Sequence, residues 1–152
     1  MGCTNYWKPT NRNPKPEILT KELRDDIRKV VAVANGLVID GAINKCAIDE
    51  GKDYFSVWSA NYSSEAFYLD TGDAYPKNSK FGFNVCCFCK TYETPFDAVV
   101  KCCIAVCIKH GIFEPVMSFD GDFTDKAYSN AIELAKACGI GIDEILKSFM
   151  EA

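Results

Sequence analysis

FGFNVCCFCKTYETPFDAVVKCCIAVCIKHGIFEPVMSF, residues 81 to 119, decides the fold. Its first ten residues, 81–90, are rich in aromatic and small apolar side chains and read as a strand. The next segment, TPFDAVVKCCIAVCIKHG, carries helix punctuation. Thr94 can cap, Pro95 sits at the first helical position, Asp97 falls three residues after the cap, and Gly111 closes the helix. IFEPVMSF, 112–119, is a second strand, weakened by Pro115, which has no N–H for a ladder. Strand, helix and strand in this order predict a right-handed crossover joining two parallel strands.

The same stretch holds six of the chain's nine cysteines. Metal ligands must converge on one point, and structural zinc favours paired cysteines on loops and element ends. Cys86, Cys87 and Cys89 instead alternate along a strand, while Cys102, Cys103 and Cys107 lie on the helix. That helix also carries Phe96, Val99, Val100, Ile104, Val106 and Ile108, so it is apolar nearly all round, as a buried helix is. Free cysteine behaves as a small hydrophobe. The cysteines therefore read as core filler, with no structural metal and no cofactor expected. Cys86 to Cys89 is formally C-x-x-C, but it lies within a strand and opens no helix, so it does not read as a redox pair.

Outward from this unit, the flanking segments fall into place. Upstream, Leu19, Leu23, Ile27, Val30, Val31 and Ala34 recur at spacings of three and four, which predicts a helix over 16–34. YFSVWSA (54–60) and EAFYL (65–69), separated by NYSS, predict a hairpin. Downstream, DFTDKAYSNAIELAKACG predicts an amphipathic helix with Ala127, Ala131, Leu134, Ala135 and Cys138 inward, and a last helix spans about 143–150. The N-terminal GCTNYWK adds an edge strand in this reading, pinned by Trp7. The expectation is α+β: one domain over 1–152, a mixed sheet of four to five strands, and three to four helices packed mainly on one face.

Composition narrows the function classes. The chain has 152 residues, a net charge of −4 and 48% hydrophobic residues. An acidic chain lacks the broad basic surface that long nucleic acids require. No run reaches the roughly 18 apolar residues of a membrane span, and no secretory leader is visible. The start Met1-Gly2-Cys3 hints at acylation, but Tyr6 stands where the pattern wants Ser or Thr. A cytosolic setting with reduced thiols follows as the expectation. His110 is the only histidine. This excludes sites needing two histidines, and no P-loop, dinucleotide fingerprint or nucleophile elbow is present. Asp120, Asp122 and Asp125 read first as a turn and cap, and only second as a magnesium cluster.

The chemistry of the opening stretch lies between its cysteines. Lys90-Thr91-Tyr92 follows a strand and precedes a helix, where free N–H groups and the helix dipole favour anions. Asp120-Gly121 follows the second strand, and ligands tend to bind beyond the carboxyl ends of parallel strands. Lys90 supplies a charge, Thr91 a hydroxyl, and Tyr6 or Tyr92 a ring to cover a base or sugar. Glu65 is expected along the wall, in a buried pair with Lys90. The candidate ligand-binding residues are Tyr6, Glu65, Lys90, Thr91, Tyr92 and Asp120, with no catalytic set and no metal ligand.

Several of these residues lie in segments that resemble a family of small proteins encoded by tailed phages and prophages. MGCTNYW is similar to the family's M-G-Y-T-H-Y-W start, and Glu65-Ala66-Phe67 to its central E-T-F. FCKTYETPFD, residues 88 to 97, resembles its F-C-K-T-A-R-K-P-Y-D, and Ser118-Phe119-Asp120-Gly121-Asp122-Phe123 resembles a later S-D-G before an aromatic. Asn5 replaces the family's histidine, Ala66 a threonine, and Glu93-Thr94 an Arg-Lys pair, which removes two positive charges. The resemblance implies phage origin, a host-cytoplasmic setting and a shared architecture, and no particular reaction. The functional expectation is a phage-encoded accessory protein that captures a small anionic or nucleotide-like molecule of host defence signalling. A protein–protein inhibitor of a host defence factor and a small hydrolase remain as alternatives. Homo-oligomerisation is left open.

Overall fold

The helix expected over 94–111 forms as α2 (Phe96–Lys109), and every residue from Phe96 to Cys107 is buried. The rest of the protein is arranged around it. The computed structural model describes residues 4–11, 14–71 and 88–151. In chain order the elements are β1 (Thr4–Pro9), a 3-10 turn (Pro16–Ile18), α1 (Lys21–Gly36), β2 (Cys46–Glu50), β3 (Tyr54–Ser59), β4 (Phe67–Asp70), β5 (Phe88–Lys90), α2, β6 (Phe113–Phe119), α3 (Lys126–Cys138) and α4 (Ile142–Met150). The architecture is α+β. Part of the expected strand, 81–87 with Cys86 and Cys87, lies outside the described residues, as do Gly2 and Cys3.

α1, α3 and α4 pack on α2, and so do β1 and β6. The apolar stripe of α1 is buried as its period requires: Leu23, Ile27 and Val30 are fully enclosed, and Val31 and Ala34 nearly so. The α-helix begins later than its apolar pattern, because Pro16–Ile18 forms a separate 3-10 turn and Thr20 is the cap, accepting from the Leu23 N–H at 3.1 Å. On α3, Tyr128 takes the inward position expected of Ala127.

Among the described residues the strands form two three-stranded ladders, β5-β1-β6 and β2-β3-β4, instead of one mixed sheet. Every pairing within them is antiparallel. β5 and β6 do run parallel to each other, but β1 is inserted between them. The N-terminal segment is thus a central strand and not an edge. Its alternation gives it one buried and one open face: Asn5 and Trp7 are buried while Tyr6 and Lys8 are exposed. Trp7 lies 5.6 Å from Phe113 and 5.2 Å from Phe67, so one indole joins the two ladders. Pro115 sits on β6, an edge strand, where a missing N–H is tolerated. The strand β2 was not foreseen. CAIDE is short and ends in two acidic residues, and it is recruited by pairing with β3 along its whole length.

Candidate functional site

The turn from Lys90 to Pro95 links β5 to α2 and divides two environments. Inside it, the side chains of Thr91, Asp97 and Lys101 meet that of Asn5. Thr91 Oγ1 and Asn5 Nδ2 both donate to Asp97 Oδ1, each at 2.7 Å. Lys101 Nζ binds Asp97 Oδ2. The ammonium also sits 4.3 Å from the centre of the Phe119 ring, a cation–π contact. Asn5, Thr91 and Lys101 are fully buried and Asp97 is 2% exposed. Asn5 Oδ1 has no partner among the described residues.

This network corrects two readings. Thr94 and Asp97 form no capping box: Pro95 occupies the N-cap, no side chain caps the helix, and the Thr94 hydroxyl donates to the Thr91 carbonyl at 2.8 Å. Thr91 offers no exposed hydroxyl, because its oxygen is enclosed and bonded to Asp97. The helix phase explains both. Asp97 and Lys101 are one turn apart on the side of α2 that faces β1 and β6, so the carboxylate must find partners inward. The signal was available: in a helix apolar nearly all round, two opposite charges four residues apart can be buried only as a pair.

Outside the turn lies an open sheet face. Tyr6 is in register with Phe88 on one side and Ser118 on the other. Directly opposed residues in an antiparallel pair project to the same face. Tyr6 is 41% exposed and Phe88 37%. Lys8 and Lys90, each two residues further along its strand, share that face and are exposed. A shallow depression of about 190 Å3 beside Tyr6 is bordered by Lys8, Val116 and Ser118. Lys8 is 3.5 Å from Glu114. Tyr92, 52% exposed, follows Lys90. Tyr92 and Glu93 both hold positive φ, 54° and 61°, which non-glycine residues rarely adopt.

Glu65 and Lys90 meet, though not as a buried ion pair. Both residues are exposed. Glu65 Oε1 accepts from the Lys90 N–H at 2.8 Å, and the Glu65 N–H donates to the Lys90 carbonyl at 2.9 Å. These bonds tie the segment before β4 to β5 and leave the Lys90 ammonium outside. Asp120 is exposed at the far side of β1, its N–H bonded to the Thr4 carbonyl at 3.0 Å. Lys90, which pairs with Thr4, and Asp120 therefore flank that residue from opposite sides. The fold places Tyr6 and Lys90 on the open face, with Glu65 bonded to the Lys90 backbone and Tyr92 following in the chain. It sets Asp120 across the strand and withdraws Thr91 into the core. Phe88 was missed, although its place two residues before Lys90 on one strand was a usable signal.

The other chemistry-bearing groups serve packing. Cys89, Cys102, Cys103, Cys107 and Cys138 are buried free thiols. Burial pushes the Cys89 thiol up to about 12 and Cys138 to about 11. No group of three metal-binding side chains occurs among the described residues. His110 Nε2 lies 2.7 Å from Asp26 Oδ2, just past the end of α2 and away from the turn. Asp122 Oδ1 takes the Thr124 N–H at 2.9 Å, a turn contact. Among the described residues no helix is long and apolar enough to cross a membrane.

These features define an α+β domain with an aromatic, lysine-flanked sheet face left uncovered by its helices. Compared with protein families, with curated proteins and with solved structures, the chain shows no match.

Proposed function

We propose that the protein captures a small, ring-bearing anion of the nucleotide type on the open face of the β5-β1-β6 ladder. The observation that carries this reading is the Tyr6–Phe88 register pair, both rings exposed, with Lys8 and Lys90 on the same face. Adjacent exposed aromatics are a stacking platform for a base, worth about 1–3 kcal/mol per base. A lysine at each end supplies charge for a phosphate. Net charge −4 suits a single small anion better than a polymer. The resemblance of MGCTNYW and FCKTYETPFD to tailed-phage proteins supports an accessory role in the host cytoplasm, directed at a nucleotide signal of host defence.

A second reading is a protein partner on the same face. Val116, 48% exposed, extends the apolar patch beyond the two rings. Calorimetric titration with a panel of cyclic and ADP-ribose-type nucleotides separates the two. The capture reading expects saturable binding of at least one member, weakened in Tyr6→Ala. Binding of none would leave the face to a protein.

A further inference from the structure

The second ladder, β2-β3-β4, also turns one side outward. On β3, Phe55 and Val57 are buried in the core, while Trp58 is 44% exposed. Alternation along the strand puts Tyr54, Ser56 and Trp58 together on the outer side. Register adds their cross-strand neighbours: Ala47 lies opposite Trp58, and Asp49 and Tyr68 lie on either side of Ser56. Tyr54, Trp58, Asp49 and Tyr68 thus surround one short side chain, that of Ser56.

The tyrosine rings stack with centroids 5.9 Å apart and planes 15° apart. The Tyr54 hydroxyl donates to Asp49 Oδ1 at 3.3 Å, which holds the exposed carboxylate beside the rings. Trp58 takes part in neither contact. Its neighbour on β2 is an alanine, too short to cover an indole.

This chemistry is the opposite of the lysine-flanked face around Tyr6. An aromatic face is electron-rich and attracts cations, tryptophan most strongly, and an adjacent carboxylate adds to the attraction. An ordinary ammonium needs acceptors for its three N–H bonds. Asp49 is the one carboxylate bordering Ser56, and Tyr54 already uses one of its oxygens. A quaternary ammonium has no N–H and needs only ring faces and a nearby negative charge.

We propose that the outer side of the β2-β3-β4 ladder binds a free quaternary ammonium ion of the choline type, seated over Ser56 between Trp58 and the stacked tyrosines. A peptide would add along a strand edge. At β2 that edge is occupied: Asn35 Nδ2 donates to the Cys46 carbonyl at 3.0 Å, and Asn35 Oδ1 accepts the Cys46 N–H at 2.7 Å. Asp49 and Asp70, the latter in register with Tyr54, disfavour an anionic lipid surface. Lys45, exposed one alternation before Ala47, opposes a cation and sets the outer limit of the site.

The test is a chemical-shift titration with choline and with its neutral carbon analogue, in which a tert-butyl group replaces the trimethylammonium. Trp7 and Trp58 are the only tryptophans, so two indole N–H signals report on one buried and one exposed ring. Choline should shift the Trp58 indole and the amides of Ala47 and Ser56 saturably and leave the Trp7 indole in place. The neutral analogue should bind at least about fivefold more weakly. Trp58→Ala should abolish saturable shifts at Ala47 and Ser56, Asp49→Asn should weaken choline, and Lys45→Gln should tighten it. All three residues are exposed, and an unmoved Trp7 signal confirms that each variant is folded. No saturable shift, equal binding of the neutral analogue, or shifts centred on Tyr6 and Phe88 would overturn the assignment. Tighter binding of a peptide bearing trimethyl-lysine would make the cation protein-borne and overturn the free ion.

Discussion

Lys101 places its ammonium on the carboxylate of Asp97 one helical turn away, with both side chains sealed from solvent inside an otherwise apolar helix. Asn5 from β1 and Thr91 from the turn complete the carboxylate's bonds, and Phe119 from β6 covers the ammonium. Four separate pieces of chain thus agree on one position for the start of α2.

Breaking this pair from one side should be severe. Asp97→Ala strands a buried ammonium and is expected to cost about 3–5 kcal/mol. Asp97→Leu combined with Lys101→Met removes both charges and should recover much of that loss. Chemical denaturation of the single and double variants checks it, and a double variant no better than Asp97→Ala would refute the account of the pair.

Thr91→Val keeps the shape and removes one donor to Asp97. The expected loss is about 1–3 kcal/mol, the cost of an unmade bond to a buried charged group. Urea unfolding reads this, with an unchanged m-value as the sign that the fold is intact.

Reading the sequence exposed the fold class and the helices because their signals are local. Leu23, Ile27, Val30 and Ala34 announce α1 by spacing alone, and the mostly apolar helix around Cys102 and Cys103 announces burial. Strand order is not local. Nothing in TNYWKP says that it lies between β5 and β6, since that follows from where its buried Asn5 and Trp7 find partners. Asp97 was misassigned for a related reason. A residue three positions past Thr94 fits a capping box by spacing, while its true side-chain partners are 92, 6 and 4 residues away in the chain. The candidate site was legible in its exposed members, Tyr6, Lys90 and Tyr92. It was misjudged in Thr91, whose side chain turns inward next to one that turns outward.

The buried thiols should be inert in the native state. Burial raises the pKa values of Cys102, Cys103 and Cys107 well above the ordinary thiol value, so almost no thiolate forms at neutral pH. Alkylation followed by peptide mass spectrometry should label these three cysteines only after denaturant is added. Rapid native labelling of Cys103 would contradict their enclosure.

Two carboxylates should shape stability in acid. Burial opposes their ionisation, but His110 and Lys109 hold the Asp26 pKa below its ordinary value, and Arg28 and Arg24 do the same for Glu50. A folded pKa below the unfolded one adds stability above the unfolded pKa, and that stability is lost as pH falls through the folded value. Stability should therefore drop below about pH 4, the ordinary carboxylate range. Asp26→Asn with Glu50→Gln should flatten that drop, as thermal melts across the acid range would show.

The central claim is that Lys90 faces a ligand while its neighbour Thr91 faces the core. Calorimetric titration of the wild type and Lys90→Ala with the nucleotide panel tests this most directly, with thermal melts of the same samples. The account predicts that Lys90→Ala weakens the nucleotide that binds by about 1.5–3 kcal/mol, the range for a hydrogen bond to a charged group, and leaves the melt nearly unchanged. No binding by the wild type to any member of the panel, together with unfolding of Lys90→Ala, would contradict it.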